Sequence, residues 1–401
     1  MSLFLQVVSV SHAIGEIRNL AVPCRTESVP LLEAFHRILA QDVHADGDIP
    51  GFTRSVVDGF AVRSPDTTGS SDAIPSMLNL MGRILMGDPV HHVLVPGECI
   101  YVPTGGILPE GADAVVMIEH TDRIEDQVLI KKPVAPGENV LLFNEDFSAG
   151  EVVVRRGKRL TAQDIGVLAA AGCTDVPVAG MPRIGIISTG NELVPVNARP
   201  AAGQVRDVNS SVIASVMKDW GCHTLFYGIV RDDRDALREV IGRSTAECDA
   251  VLISGGSSKD ERDMVAAIIA EKGRIVIHGI AIAPGKPTII GECEGKPVIG
   301  LPGHPASAFI VLIAIVRHLI SAMTGETGST VPALFAVLGQ NVPSSKGRED
   351  YVRVAVKDGV ATPLFGKSGL LNTLVRSTGV VRVPAESEGL EAGTQVEVIM
   401  W

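Results

Sequence analysis

Four short loops between residues 184 and 305 combine glycine with small polar or charged side chains, and each follows an apolar run. They span residues 188–192, 254–260, 284–287 and 300–305. In an open α/β sheet such loops gather at the carboxyl ends of the strands, where ligands bind. Backbone N–H groups at helix starts favour an anion, and glycine lets it approach closely. The loops therefore predict a site for a phosphorylated or otherwise anionic ligand.

Acidic side chains accompany these loops at predicted strand ends and helix starts: Glu192, Asp207, Asp232, Asp233, Asp260 and Asp263. Each taken alone can be explained by helix capping, and Asn209, which follows Asp207, can cap the helix predicted at residue 210. Taken together, carboxylates among glycine loops suit a hydrated Mg²⁺ held between acids and phosphates. Lys259 and Lys286 would add positive charge for a phosphate or oxyanion, although each can equally be an ordinary surface lysine.

Several other classes of protein are excluded or unsupported. No G-x-G-x-x-G follows the first strand of the α/β region, and no Walker, H-E-x-x-H or G-x-S-x-G motif is present. A net charge of −11, 4% aromatic residues and no basic run argue against a general nucleic-acid binder. Six scattered cysteines without a C-x-x-C pair favour reduced thiols in a cytoplasmic protein over disulfides or zinc.

Neither a signal peptide nor a membrane span is expected. The first six residues lack a basic segment followed by a long apolar core. The longest apolar run, residues 308–316, is much shorter than the roughly 20 residues that cross a bilayer. We therefore predict that this run is a buried helix.

The elements that position the loops alternate from residue 182 onward. Strands at 183–187, 224–230, 250–253 and 297–299 are each followed by a helix, at 210–220, 234–243, 262–271 and 305–323 respectively. Strands alternating with helices of ten or more residues predict βαβ units and a mostly parallel sheet.

The rest of the chain predicts smaller units around this α/β core. Short runs such as 92–95 and 114–117, broken by glycine and proline, indicate a separate β module. Helical spacing predicts helices at 28–40 and 162–168, whose segments flank that module and can form one mixed domain. The fold class is thus multidomain α/β plus β, with domains at 1–52 with 145–180, 53–144, 181–327 and 328–401. The last is predicted to be a closed or sandwich-like β domain.

Ten segments in the same order resemble the molybdopterin molybdenumtransferase family, which includes MoeA and the gephyrin E domain. They lie at residues 49–50, 55–62, 103–119, 137–139, 145–146, 188–193, 254–256, 263, 284–287 and 300–305. The resemblance covers nearly the whole chain. It implies an elongated homodimer of four domains in which the β module is inserted in the first domain and the α/β domain binds the pterin.

The resemblance also implies a reaction. Members of the family take adenylylated molybdopterin and molybdate, cleave the phosphoanhydride with Mg²⁺ and release AMP, leaving molybdenum on the pterin dithiolene. Molybdopterin adenylyltransferase would be the upstream partner, with no nucleic acid or membrane involved. Two alternatives stay open: a homologue that inserts tungstate, and a non-catalytic protein that binds molybdopterin or serves as a scaffold.

Site residues follow from the matching motifs. The implied catalytic residues are Glu192, Asp232, Asp263, Lys286, Asp58 and Asp146, of which Glu192, Asp232 and Asp263 would bind the metal. The implied substrate-binding residues are Thr104, Ser188, Thr189, Gly190, Ser254, Gly255, Gly256, Ser257, Lys259, Pro284, Gly285, Pro302, Gly303, His304, Ser307, Arg348, Arg353 and Ser368. Asp58 and Thr104 would be contributed across the dimer.

The chain departs from the family pattern at several places. Ala283 stands where a lysine is usual, which removes one expected cation, and Lys259 is a candidate replacement. His304 stands where asparagine is usual, and residues 141–144 lack the common arginine and glycine. Asn191 stands where aspartate is frequent, which leaves Glu192 as the carboxylate of that loop.

Overall fold

A six-stranded sheet forms the centre of the α/β region. The computed structural model describes residues 7–255, 259–328 and 332–401, and side chains of the helix Lys259–Lys272 from residue 264 onward. The strands lie in the order His223–Val230, Arg183–Thr189, Ala250–Ser254, Lys296–Leu301, Ile289–Cys293 and Gly273–His278. The first four are parallel and the last two pair antiparallel. The predicted parallel core is confirmed, whereas the last two strands were not predicted.

Helices cover both faces of this sheet. They are Asn209–Asp219, Arg234–Glu247, Lys259–Lys272 and a long helix from Pro305 to Thr324 whose middle, Leu312–Val316, is π-helical. Along the central strand, Ala250 and Leu252 join one apolar core while Val251 and Ile253 join the other. Alternate residues of one strand are thus buried on opposite faces, which requires a helix layer on each side.

The long helix is the core helix expected from the apolar run. In the part of the chain that the structure describes, Pro305–Thr324 is the one helix long and apolar enough to cross a membrane, yet 72% of its most apolar window is buried within the protein. The helix Val10–Asn19 packs against it through Val10, Ala13 and Ile17, which belong to the same core. This part of the predicted first domain therefore packs on the α/β core.

Residues 26–44 and 152–179 form a small mixed unit. Strand Thr26–Pro30 pairs with Asp175–Ala179, strand Val43–His44 pairs with Val152–Val154, and the predicted helix forms at Ala162–Ala170. The helix predicted at 28–40 is wrong: only a 3-10 turn, Leu31–Ala34, follows the first strand. Pairing with a strand some 150 residues away overrides the helical spacing, and Leu32 is left 80% exposed.

The β module contains a second six-stranded sheet. Its strands lie in the order Ala114–Met117, Gly59–Val62, Glu98–Val102, Ser76–Arg83, Gln127–Ile130 and Thr121–Ile124. Two apolar cores lie on its two faces. The strand predicted at 114–117 forms, but the one predicted at 92–95 does not, because that segment is held by His92 bonded to Glu98 and by the Leu94 N–H bonded to the Glu110 carbonyl.

A closed five-stranded β domain follows the α/β core. Its strands are Ala333–Leu338, Glu349–Lys357, Val360–Pro363, Gly379–Val383 and Gln395–Met400, and pairing of Glu349–Lys357 with Gly379–Val383 closes the ring. The predicted closed arrangement is confirmed. A sixth strand, Ile282–Ala283, comes from the α/β region and pairs in parallel with Glu349–Lys357. This pairing fixes the position of the β domain beside the loop that carries Lys286.

Replacing Gly166 with alanine is expected to stabilise the helix Ala162–Ala170. Gly166 is exposed in the helix and an added Cβ would meet no atom within 4 Å. Alanine should favour the helix by about 0.5–1 kcal/mol, which slows amide hydrogen exchange there by about two- to fivefold. Gly172→Ala is the matched control and should destabilise the protein, because the φ of Gly172 is +77° and an added Cβ would lie 2.5 Å from the Asp46 carboxylate. Unchanged or faster exchange in Gly166→Ala would contradict the prediction.

Candidate functional site

The carboxyl ends of the parallel strands are joined by one buried amide. Asn209, the first residue of the helix Asn209–Asp219, donates from Nδ2 to the Ser254 hydroxyl at 2.8 Å and to the Gly303 carbonyl at 2.9 Å. Its Oδ1 is buried and has no hydrogen-bond partner among the described residues. Asn209 therefore holds two of the predicted loops together and leaves one acceptor unused.

The prediction that Asn209 caps this helix is wrong. Asp207 accepts a hydrogen bond from the Ser210 N–H at 3.1 Å and another from the Ser188 hydroxyl at 2.6 Å. Asp207 thus caps the helix and fixes the first loop, which frees the Asn209 amide to link the others. A polar residue at a helix start admits both roles, so only the three-dimensional arrangement distinguishes them.

Replacing Asn209 with alanine is expected to destabilise the α/β region by about 2–4 kcal/mol, because two buried acceptors lose their donor. The measurement is urea unfolding followed by tryptophan fluorescence, to which Trp220 at the end of the same helix contributes. Ser215→Ala is the control, since that side chain is exposed and bonds only to the Ser211 carbonyl of its own helix. A change below about 1 kcal/mol in Asn209→Ala would show that the loops do not depend on this amide.

The first loop brings two of the predicted carboxylates together. Asp232 accepts hydrogen bonds from the Thr189 hydroxyl at 3.0 Å and from the Asn191 N–H at 3.2 Å. The Glu192 carboxylate lies over Gly190, where an added Cβ would come within 2.6 Å of Oε2. Two carboxylates therefore border one turn, in which Gly190 makes room for the Glu192 carboxylate.

The second loop approaches the first closely at Gly255. Gly255 has a φ of +142°, and a Cβ added to it would lie 2.0 Å from the Thr189 carbonyl oxygen. No side chain fits at this position without moving one of the two loops. Glycine is therefore required here both by conformation and by the close approach.

Part of the predicted site falls outside the described residues. These are Gly256 and Ser257, together with the side chains of Lys259 and Asp263. Within the described part of the chain, no group of three His, Cys, Asp or Glu side chains lies close enough to bind a metal ion. Of the three predicted metal ligands, the structure thus describes the side chains of Glu192 and Asp232.

A cleft of about 590 Å³ separates the α/β core from the C-terminal β domain. Nine predicted residues line it: Pro284, Gly285, Lys286, Pro302, Gly303, His304, Ser307, Arg348 and Ser368. The two walls are tied by the Glu349 N–H, which donates to the Ala281 carbonyl at 2.8 Å, and by a 2.9 Å hydrogen bond between Ser368 Oγ and His304 Nδ1. The third and fourth loops and the β domain therefore form one site.

Three cationic side chains line this cleft. Lys346 pairs with Glu388 at 3.1 Å and Arg348 pairs with Asp350 at 2.9 Å, whereas Lys286 is exposed and has no carboxylate partner among the described residues. Lys346 was not predicted, because it lies in a segment without a recognisable motif. It lines the same cleft as Ala283, and the pairing of Ala283 with Asp350 brings its domain to this place.

Arg353 does not line the cleft. It is 7% exposed, and its Nη2 donates to the Gly366 carbonyl at 2.7 Å. Burial of the guanidinium lowers the pKa of Arg353 from its ordinary value. Its contact supports the segment that leads to Ser368, and its role in substrate binding stays a prediction.

Asp58 and Thr104 form a pair in the β module, away from this cleft. The Thr104 N–H and hydroxyl donate to Asp58 Oδ1 at 2.7 and 3.1 Å. Asp146 is exposed, and its N–H donates to the Ile49 carbonyl. None of the three lines the cleft within one chain.

Known families and proteins resemble this chain along its length. Residues 8–172 match the MoeA N-terminal region (domains I and II), 185–322 match a probable molybdopterin-binding domain, and 336–401 match the MoeA C-terminal region (domain IV). A putative molybdopterin biosynthesis protein of Methanocaldococcus jannaschii is 34% identical over 385 residues, covering 94% of this chain and 92% of that protein.

A protein named as a transferase and a solved structure are found among the other relatives. A molybdopterin molybdenumtransferase of Staphylococcus aureus is 30% identical over 399 residues, covering 98% of this chain and 95% of that protein. The crystal structure of a molybdopterin biosynthesis MoeA protein of Pyrococcus horikoshii superposes with a TM-score of 0.87 at 31% identity, covering 99% of this chain and 100% of that one.

Proposed function

The chain belongs to the MoeA family of molybdopterin molybdenumtransferases, and on that basis we propose that it inserts molybdate into adenylylated molybdopterin with release of AMP. Its role as a transferase of molybdenum cofactor biosynthesis follows from the family. The adenylylated substrate, the cleavage of its phosphoanhydride and the dependence on Mg²⁺ are the proposed part.

Lys286 carries the proposal. It lines the cleft between two loops that end parallel strands, and no carboxylate among the described residues neutralises it. A molybdate dianion and a phosphoanhydride both require cations and oriented N–H donors, which act more strongly in a cleft than in water. Lys346 and Arg348 lie in the same cleft but are already paired with acids, so Lys286 is the cation most available to a substrate oxyanion.

The donors beside Gly190 fit a magnesium ion. Glu192 and Asp232 provide carboxylate oxygens, the ligand type that Mg²⁺ takes, and both border the Gly190 turn, where the absence of a Cβ makes room for the Glu192 carboxylate. Glu192 and Asp232 would hold the ion, with Asp263 as the third ligand that the resemblance implies. A bound Mg²⁺ supplies charge neutralisation for the departing AMP.

The remaining residues position these groups. Asn209 keeps the Ser254 and Gly303 loops at a fixed separation, and the bond from Ser368 to His304 holds the β domain against the α/β core. These contacts would keep the loops and the two walls of the cleft at fixed positions around the bound substrate.

We also propose a homodimer in which Asp58, Thr104 and Asp146 complete the cleft of the partner subunit. Asp58 and Thr104 bond to each other and do not line the cleft of their own chain, which is what a contribution across a dimer requires. Molybdopterin adenylyltransferase would supply the substrate. The reaction would take place in the cytoplasm, which the six free cysteines support.

Incubation of the purified protein with adenylylated molybdopterin, Mg²⁺ and either molybdate or tungstate tests this function. AMP release and formation of the metal cofactor are measured together, with no-oxyanion and EDTA controls. AMP release that depends on molybdate supports the proposal. A preference for tungstate would change the metal that the protein inserts but not the proposed reaction. Tight molybdopterin binding without AMP release would instead indicate a binding or scaffold protein.

A further inference from the structure

The β module contains a second cleft that the proposed reaction does not use. It encloses about 470 Å³ and is lined by Phe60, Leu80, Gly82, Arg83, Tyr101 and Arg123. This volume is within the range of small-molecule sites. The lining combines aromatic and aliphatic side chains with two guanidinium groups, and none of these residues lines the cleft beside Lys286.

A β-bulge places Arg83 in this cleft. Leu80 pairs with Cys99 and Arg83 pairs with Tyr101, so the strand Ser76–Arg83 advances three residues while its neighbour advances two. Gly82, with a φ of +139°, lies in the bulge. Without the extra residue Arg83 would lie on the opposite face from Leu80, because side chains alternate along a strand. The bulge therefore places a charged side chain on the same face of the sheet as Leu80 and Tyr101.

Arg123 lies on the same face by ordinary pairing. It is paired with Val128, which is fully buried in the core that also contains Phe60. A charged side chain on an edge strand can prevent edge-to-edge aggregation, and this explains Arg123 because its strand is the sheet edge. It does not explain Arg83, whose strand lies between two others.

Neither guanidinium has a carboxylate partner among the described residues. Arg123 donates from Nε to the Glu125 carbonyl at 2.9 Å, and the Arg83 Cζ lies 5.9 Å from the centre of the Tyr101 ring. Two acids of the same sheet are already engaged, since Asp122 pairs with Lys131 at 2.6 Å and Glu98 with His92 at 2.9 Å. Two arginines in one cleft, neither with a carboxylate partner in the described part of the chain, favour an anionic ligand.

The floor of the cleft suits a flat apolar group. Tyr101 meets Phe60 edge to face with ring centres 5.7 Å apart, and Leu80 packs against the same core. We propose that this cleft binds a small organic anion, a phosphate or carboxylate carried on an aromatic body, with Arg83 and Arg123 on the anionic group and Tyr101 beside the ring. The site is separate from the proposed transferase site, so an experiment can contradict either proposal without contradicting the other.

Isothermal titration calorimetry of the full chain with phenyl phosphate and with benzoate tests this site. Inorganic phosphate supplies the anionic group alone and phenol the ring alone. Arg83→Gln and Arg123→Gln should each weaken binding by about tenfold or more, because each removes a charge-assisted contact from an exposed side chain whose loss leaves the fold intact. Lys132→Gln, an exposed lysine of the same module outside the cleft, removes the same charge and is the matched control.

Lys286→Gln separates the two clefts. Phenyl phosphate or benzoate binding that survives Lys286→Gln and Lys132→Gln but is lost in both arginine variants supports the proposal, and the better of the two probes identifies the anionic group. Binding unchanged in the Arg83→Gln/Arg123→Gln double variant, or no detectable binding of either probe by wild type at millimolar concentration, overturns it. Inorganic phosphate binding as tightly as phenyl phosphate would overturn the part assigned to Tyr101.

Discussion

Replacing Lys286 with glutamine is expected to lower the rate of molybdate-dependent AMP release by about 10²–10³-fold, the usual effect of removing one preorganised charge from a transition state. Lys286 is the cleft cation without an acidic partner among the described residues, so its charge is not already used within the protein. Glutamine keeps much of the length and polarity of the side chain. The loss should therefore arise from charge rather than from a cavity.

The control for this variant is Lys346→Gln in the same cleft. Because Lys346 is paired with Glu388, its replacement should reduce the rate far less, by about tenfold at most. Single-turnover AMP release at saturating molybdate measures both variants. Equal losses of rate in the two variants would mean that the cleft acts through its total charge. An unchanged rate in Lys286→Gln would contradict the role of Lys286 on which the proposed function depends.

The loops could be predicted from sequence because their residue types are constrained locally. Gly255 and Gly190 are required by backbone conformation and close contact, and Lys286 follows a strand at the edge where such loops gather. The four strand–helix pairs were recognised for the same reason, since their apolar periodicity is a local property. The ends of the elements differ by a few residues, as for the helix Lys259–Lys272, which was expected to begin at residue 262.

Features that depend on long-range pairing could not be predicted in this way. Lys346 reaches the cleft because Ile282–Ala283 joins the C-terminal β domain, and nothing near residue 346 indicates this. The helix expected at 28–40 was replaced by a strand whose partner lies at 175–179. The bulge at Gly82 could not be predicted either, because it is the register with Tyr101, and not the local sequence, that places Arg83 on the face of Leu80 and Tyr101.

Replacing Gly255 with alanine is expected to have the second large effect, on both stability and turnover. The new Cβ would lie 2.0 Å from the Thr189 carbonyl oxygen, so one loop must move away from the other. Thr189 also donates to Asp232 at 3.0 Å, and displacement of this loop would shift the carboxylates beside Gly190. We expect a loss of about 3 kcal/mol or more and a fall in turnover of about 10²-fold, since small misplacements of reacting groups are costly.

Gly203→Ala separates backbone strain from the clash in this second prediction. Gly203 also has a positive φ, +83°, but an added Cβ there meets no atom within 4 Å. Its replacement should cost only the left-handed strain, about 1–2 kcal/mol, with little change in turnover. Urea unfolding and single-turnover AMP release compare the two variants. If Gly255→Ala behaves like Gly203→Ala in both, the contact with Thr189 does not hold the site together, and positive φ alone explains why glycine stands at 255.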